Sequence, residues 1–172
     1  MTQPTRDFDI IVYGATSFVG QILVDYLVQY TQQATPRFND ETVTWAIAGR
    51  SEEKLLALKA KHNAQEVPHF IADASDLPAL SQLAEQTKVM ITTVGPYALY
   101  GETMVQACVN KGTDYCDLTG EPQWIKQMLD KYEEQAKATG ARIINSSGFD
   151  SIPSDIGVYK LQQKMLEKTG KP

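Results

Sequence analysis

The chain has 172 residues, 42% of them apolar, and a formal net charge of −5 with both signs interspersed. That suffices for one sizeable core and essentially one domain, and it excludes broad electrostatic binding to nucleic acid or an anionic membrane, so any anionic ligand must be held locally. No apolar run is long enough to span a bilayer, and polar residues 1–7 lack the basic and apolar regions of a secretory signal, so a cytoplasmic location is the expectation.

An apolar run at 10–13 reads as a buried strand that stops at Gly14. A helical apolar pattern begins at Val19 and recurs at Ile22, Leu23, Tyr26, Leu27 and Tyr30. The change of period falls inside the loop Gly14-Ala15-Thr16-Ser17-Phe18-Val19-Gly20, so the leading N–H groups of the helix point at whatever lies above the strand end, which favours a phosphate there. Gly14 allows the tight turn and Gly20 allows close packing of helix on strand. The dinucleotide fingerprint has another glycine between them; here Ala15, Thr16 and Ser17 fill the interval, and two of these carry hydroxyls able to donate to phosphate oxygens. Glycines beside a strand end also serve as plain turn chemistry, and the loop alone does not separate the two readings.

After a polar stretch at 32–41 comes a strand at 43–48, ended by Gly49-Arg50-Ser51. Ser51 suits an N-cap, with Glu52 and Glu53 in the first turn of a helix carrying Leu55, Leu56 and Leu58. A third strand, 67–72, ends at Asp73, and Ser75 or Asp76 then caps a helix striped with Leu77, Leu80, Leu83 and Ala84. The fourth strand, 89–94, is broken by Gly95-Pro96 and leads to a helix around 103–110 that Gly112 can close. A fifth strand at 114–118 precedes a long helix with Trp124, Ile125, Met128, Leu129, Tyr132 and Ala136 on one side. Gly140 caps that helix before a sixth strand at 141–145. The last segment, from Ser151 to about Lys168, reads as a helix with Ile156, Tyr159, Leu161 and Met165 apolar. Regular alternation predicts a doubly wound α/β fold, a parallel sheet of about six strands in the order 3-2-1-4-5-6. Ligands bind such sheets at the carboxyl ends of the strands, beside strand 1 where the order reverses.

The end of strand 2 discriminates between nicotinamide cofactors, because an acidic residue there bonds the ribose 2′-OH whereas an arginine accommodates a 2′-phosphate. Gly49-Arg50-Ser51 stands at that place, so NADP is expected over NAD, with Ser51 and the helix start adding donors; the alternative is that Arg50 simply opens a solvated helix. Asp73 could accept from the adenine amino group or cap the next turn. Val94, Gly95, Pro96 and Tyr97 lie across the crevice from the glycine loop, where Gly95 would let backbone approach the cofactor and Pro96 would stiffen it; a strand-ending turn would use the same residues. None of the eight tyrosines has a lysine four residues on, so the acid–base pair of short-chain dehydrogenases is missing. Asp117, Glu121 and Asp150 fall at strand ends on the ligand side as catalytic candidates, although carboxylates there more often cap helices or shape loops. Cys108 and Cys116 read as reduced, buried small residues, and His62 and His69 stand alone, so no metal site is expected.

The loop 14–20, the Ala48-Gly49-Arg50-Ser51 stretch through Lys54-Leu55, Val94-Gly95-Pro96-Tyr97, the stretch Tyr115-Cys116-Asp117-Leu118-Thr119-Gly120-Glu121 and the run from Gly148 to Asp155 occur here in that order. In this the sequence resembles the saccharopine dehydrogenase-like oxidoreductases, and among them the mycobacterial trans-acting enoyl reductases. The resemblance implies a Rossmann-type NAD(P)-binding domain over 1–150, with 151–172 a helix leading into a substrate and dimerisation domain. The chain thus reads as a fragment of a longer protein, homodimeric at full length, whose substrates are small or lipid-linked molecules such as enoyl groups. A cofactor-sensing or scaffold protein that keeps the fold without catalysis is the alternative.

Overall fold

A computed structural model describes residues 5–32 and 42–171. Most of the polar connector expected at 32–41, and the first four residues of the chain, lie outside the described residues. The elements in chain order are β1 (Phe8–Tyr13), α1 (Phe18–Gln32), β2 (Trp45–Gly49), α2 (Glu52–Lys61), β3 (His69–Ile71), α3 (Leu77–Gln86), β4 (Thr87–Thr92), α4 (Tyr97–Tyr100), α5 (Glu102–Lys111), β5 (Asp114–Cys116), α6 (Pro122–Thr139), β6 (Ile143–Ile144) and α7 (Ile152–Thr169). All pairings are parallel and the sheet runs β3-β2-β1-β4-β5-β6. The doubly wound sheet and its order are those expected from the alternation.

Strand side chains alternate between two cores. Ile11, Tyr13, Ala46, Ala48, Met90 and Tyr115 face α3, α5 and α6, whereas Val12 and Ile47 face α1 and α2. With helices on both faces, a central strand can be apolar throughout, and all five residues of β2 are buried. Asp76, not Ser75, caps α3, accepting from Ala79 N–H at 3.0 Å. Gly112 and Gly140 close α5 and α6 in the left-handed conformation, with φ of 64° and 81°.

Several expectations need correction. The α1 stripe is right only in part: Leu27 is buried and Leu23 packs against the core, but Val19, Ile22 and Tyr26 are exposed, and Gly20, Val24 and Val28 are buried in their place. The close approach of Gly20 to the β1 turn selects the face, and bulk hydrophobicity does not. β4 begins and ends two residues early because its register is set by Phe8↔Thr87 and Tyr13↔Thr92, after which Val94 N–H turns to Thr92 Oγ1 at 3.3 Å. β3, β5 and β6 are shorter than expected, and α4 has no counterpart among the expected elements. Cys108 is fully buried, but Cys116 is only half-buried. His62 is not isolated: its Nδ1 lies 3.2 Å from Asp25 Oδ1. The final helix needs no correction: α7 forms as expected, buries none of its residues and leaves apolar Ile156, Tyr159, Leu161 and Met165 exposed. No helix among the described residues is long and apolar enough to cross a membrane.

Candidate functional site

The carboxyl ends of β1, β2 and β4 open onto a crevice of ≈ 320 Å³. It is lined by Gly14, Thr16 and Ser17 from the first loop, Gly49 and Arg50 after β2, Asp73 and Ala74 after β3, Thr93, Val94 and Gly95 after β4, and Tyr13 and Tyr100. This is the switch point where a doubly wound sheet reverses direction.

The first loop is built by three close approaches. Gly14 has φ +82°, and a Cβ there would fall 2.6 Å from Val94 Cγ2 and 2.8 Å from Thr93 Oγ1. At Gly20 a Cβ would lie 2.3 Å from Gly14 O and 2.7 Å from Ala15 O, so α1 sits on the turn at a distance only glycine permits. Thr93 then ties β4 to the loop: its Oγ1 is 2.9 Å from Gly14 O and 2.8 Å from Ser17 Oγ. Ser17 caps α1, accepting from Gly20 N–H at 3.0 Å on its hydroxyl and from Gln21 N–H at 2.9 Å on its carbonyl. The leading N–H groups of a helix lack intrahelical acceptors. Phe18 and Val19 open α1 immediately after Thr16 and Ser17 of the lining, so the positive end of the helix dipole lies beside the crevice.

Geometry revises several roles expected from sequence. The Ser17 hydroxyl is already engaged with Thr93 and Gly20, which leaves Thr16 as the loop hydroxyl free to face a ligand. Ala15 is buried in the core, Phe18 and Val19 are exposed, and none of the three lines the crevice. Ser51 caps α2, accepting from Lys54 N–H at 3.4 Å, and does not line the crevice. Tyr97 turns inward: it is buried, its hydroxyl donates to Thr92 O at 3.0 Å, and its ring tilts onto Trp124 at 5.6 Å. Pro96 also lies outside the lining residues, joined to Gly95 by a cis bond. Thr93, Tyr13, Ala74 and Tyr100 line the crevice although no sequence motif marks them.

Arg50 and Asp73 are the charged residues of the lining. Asp73 performs the turn role, since its Oδ1 accepts from Ser75 N–H at 3.0 Å and Ser75 Oγ at 2.7 Å, and these bonds hold its carboxyl below the usual range. Its second oxygen remains able to accept from a ligand. Between them lies Tyr13, whose hydroxyl donates to Ala72 O at 3.2 Å; burial, then the Asp73 charge, pushes its pKa up to about 12. Beyond Thr16 a second hollow is lined by Gln21, Lys54 and Lys61, which adds positive charge beside the loop.

The three carboxylate candidates separate. Asp117 is buried and fully engaged: Oδ1 accepts from Thr119 N–H at 3.0 Å and Ser146 N–H at 2.9 Å, and Oδ2 from Tyr115 OH at 2.9 Å and Asn145 Nδ2 at 2.7 Å. It ties β5 to β6 and faces no opening. Glu121 spends both oxygens on the backbone of α4. Asp150 is exposed in the turn before α7.

Comparison with known proteins identifies the family. Residues 10–144 match the family described as saccharopine dehydrogenase NADP binding domain. The chain belongs to that family. It is therefore a dinucleotide-binding domain. It is 43% identical over 173 residues to a trans-acting enoyl reductase of Mycobacterium leprae, covering 99% of this chain and 39% of that protein. A trans-acting enoyl reductase of Mycobacterium tuberculosis is 43% identical over 169 residues, covering 97% of this chain and 38% of that protein. The chain thus spans about two fifths of the length of these curated relatives. Among solved structures, saccharopine dehydrogenase from Saccharomyces cerevisiae superposes with a TM-score of 0.73 at 18% identity, over 95% of this chain and 32% of that one, a likeness of fold.

Proposed function

We propose that this domain holds NADPH for an enoyl reductase and that the crevice residues named above are its cofactor site. The observation that carries the cofactor choice is Arg50 in the crevice at the end of β2, where a guanidinium can pair bidentately with a 2′-phosphate. In this reading the pyrophosphate lies against Thr16 and the N–H groups of Phe18 and Val19. Gly14 and Gly20 keep that backbone close, and Asp73 accepts from the adenine. Gly95 and Tyr100 wall the other half. Bound NADPH supplies a hydride, which adds to one carbon of a conjugated double bond while a proton adds to its neighbour. What the residues of this chain contribute is binding and orientation.

The substrate assignment rests on the names of the mycobacterial relatives and is an α,β-unsaturated acyl group on a lipid-linked or thioester carrier, reduced in the cytoplasm. The test is NADPH consumption by a protein that carries this domain together with the remaining length of its relatives. A trans-2-enoyl thioester should be reduced. Oxidation of NADPH with an imine substrate, and none with enoyl thioesters, would overturn the assignment.

A further inference from the structure

Glu121 links the loops that overhang the carboxyl ends of β4 and β5. Its Oε1 accepts from Tyr97 N–H at 2.7 Å and its Oε2 from Ala98 N–H at 2.9 Å, while its own N–H donates to Thr119 Oγ1 at 3.2 Å. The element it grips is α4, four residues long and entered from Pro96 with no side-chain cap. A single turn does not sustain itself in water. A carboxylate that takes both leading N–H groups supplies charge-assisted bonds that a neutral cap does not. Gly95 and Tyr100, on either side of the gripped residues, line the crevice.

The far end of the grip is also fixed. Thr119 N–H donates to buried Asp117, and Leu118 N–H donates to Tyr97 OH at 3.4 Å, so the β5 loop and α4 hold each other at two places. Doubly wound sheets bind a dinucleotide as two halves, one on each side of the switch point. Arg50 and Asp73 belong to the β1–β3 half, which leaves the wall beyond β4 to the nicotinamide half.

We propose that Glu121 is a positioning residue for the nicotinamide half of the cofactor: by clamping α4 it holds the Gly95–Tyr100 wall in its binding arrangement. This rests on the NADPH reading of the crevice. Without the clamp, NADPH must order the wall as it binds, and affinity falls by that cost. The adenosine half does not touch this wall and is unaffected.

Calorimetric titration of NADPH and of adenosine 2′,5′-bisphosphate into the parent chain, Glu121→Gln and Glu121→Ala tests this, with thermal melts alongside. Glutamine keeps the shape but turns an amide donor toward one of the two N–H groups. NADPH binding by Glu121→Gln should weaken about tenfold, the worth of a lost charge-assisted bond, with binding of the bisphosphate unchanged. Should Glu121→Ala fail to fold, the glutamine variant decides. Unchanged NADPH affinity in Glu121→Gln, or equal weakening toward both probes, would overturn the clamp. A parent chain that binds neither probe would remove the NADPH reading itself and the clamp with it.

Discussion

Replacing Gly20 by alanine probes the contact on which the cofactor loop depends. The added methyl would lie 2.3 Å from Gly14 O, 2.7 Å from Ala15 O and 2.8 Å from Ala15 C, all backbone atoms with no rotamer by which to escape. To restore an ordinary carbon contact, α1 must retreat from the β1 turn by about 1 Å. Forcing an extra methyl into a packed interface costs roughly 1–3 kcal/mol, and because the obstacle here is rigid the upper end applies. Alanine regains about 1 kcal/mol of helix propensity. The net loss of about 2 kcal/mol corresponds to a melting point lower by roughly 4–8 °C in a domain of this size. The same retreat carries the N–H groups of Phe18 and Val19 away from the crevice mouth, so NADPH affinity should fall at least tenfold, a loss of about 1.4 kcal/mol. Gly157, inside α7 with nothing within 4 Å of the place an added methyl would take, is the matched control. There alanine should stabilise by roughly 0.5–1 kcal/mol. Differential scanning calorimetry with NADPH titration reads both effects. A Gly20→Ala chain that melts and binds like the parent would refute the reasoning, because the helix would then not depend on touching the turn.

Thr93→Val keeps the shape of the side chain and removes its bonds to Gly14 and Ser17; NADPH affinity should drop roughly 3–10-fold by titration, and Thr93→Ser should restore it. Asp117→Ala strands four donors, those of Tyr115 and Thr119 buried and those of Asn145 and Ser146 half-buried, and urea unfolding should show a loss of roughly 3–4 kcal/mol. Tyr13 and Tyr97, whose pKa values burial pushes up to about 12, and Tyr115, raised well beyond its ordinary value, are protonated in the fold when unfolded tyrosines ionise near 10. Their contribution to stability is whole below pH 10 and is lost as pH rises toward 12; phenolate absorbance during a base titration should show these three ionising only as the chain unfolds.

How far the sequence reveals this molecule depends on the kind of interaction. Strand order and the location of the crevice were legible because the alternation of periods and the glycines at strand ends are local signals that topology then assembles. The face of α1 was legible only in part: Leu23 and Leu27 turn to the core as their spacing places them, but Ile22 is as apolar as Val24 and lies exposed, and the approach of Gly20 to Gly14 chooses between them. Side-chain direction was equally hidden. Tyr97 and Ser17 belong to motifs that border the crevice, yet Tyr97 packs on Trp124, far along the chain, and Ser17 bonds Thr93 at the end of another strand. Asp117 and Glu121 were recognisable as strand-end carboxylates, but what they hold is set by backbone groups of other loops. Thr93 was equally hidden, because Thr92 beside it carries the same hydroxyl and only the fold brings Thr93 to Gly14 and Ser17.

The central claim, that Arg50 makes this crevice a site for NADPH, is tested most directly by titrating NADPH and NADH into the parent chain and into Arg50→Asp. The parent should bind NADPH at least tenfold more tightly than NADH, and the variant should lose that preference, since repulsion replaces the paired 2′-phosphate while contacts shared by both cofactors persist. Equal weakening of both cofactors by Arg50→Asp, or a parent chain that prefers NADH, would contradict the account.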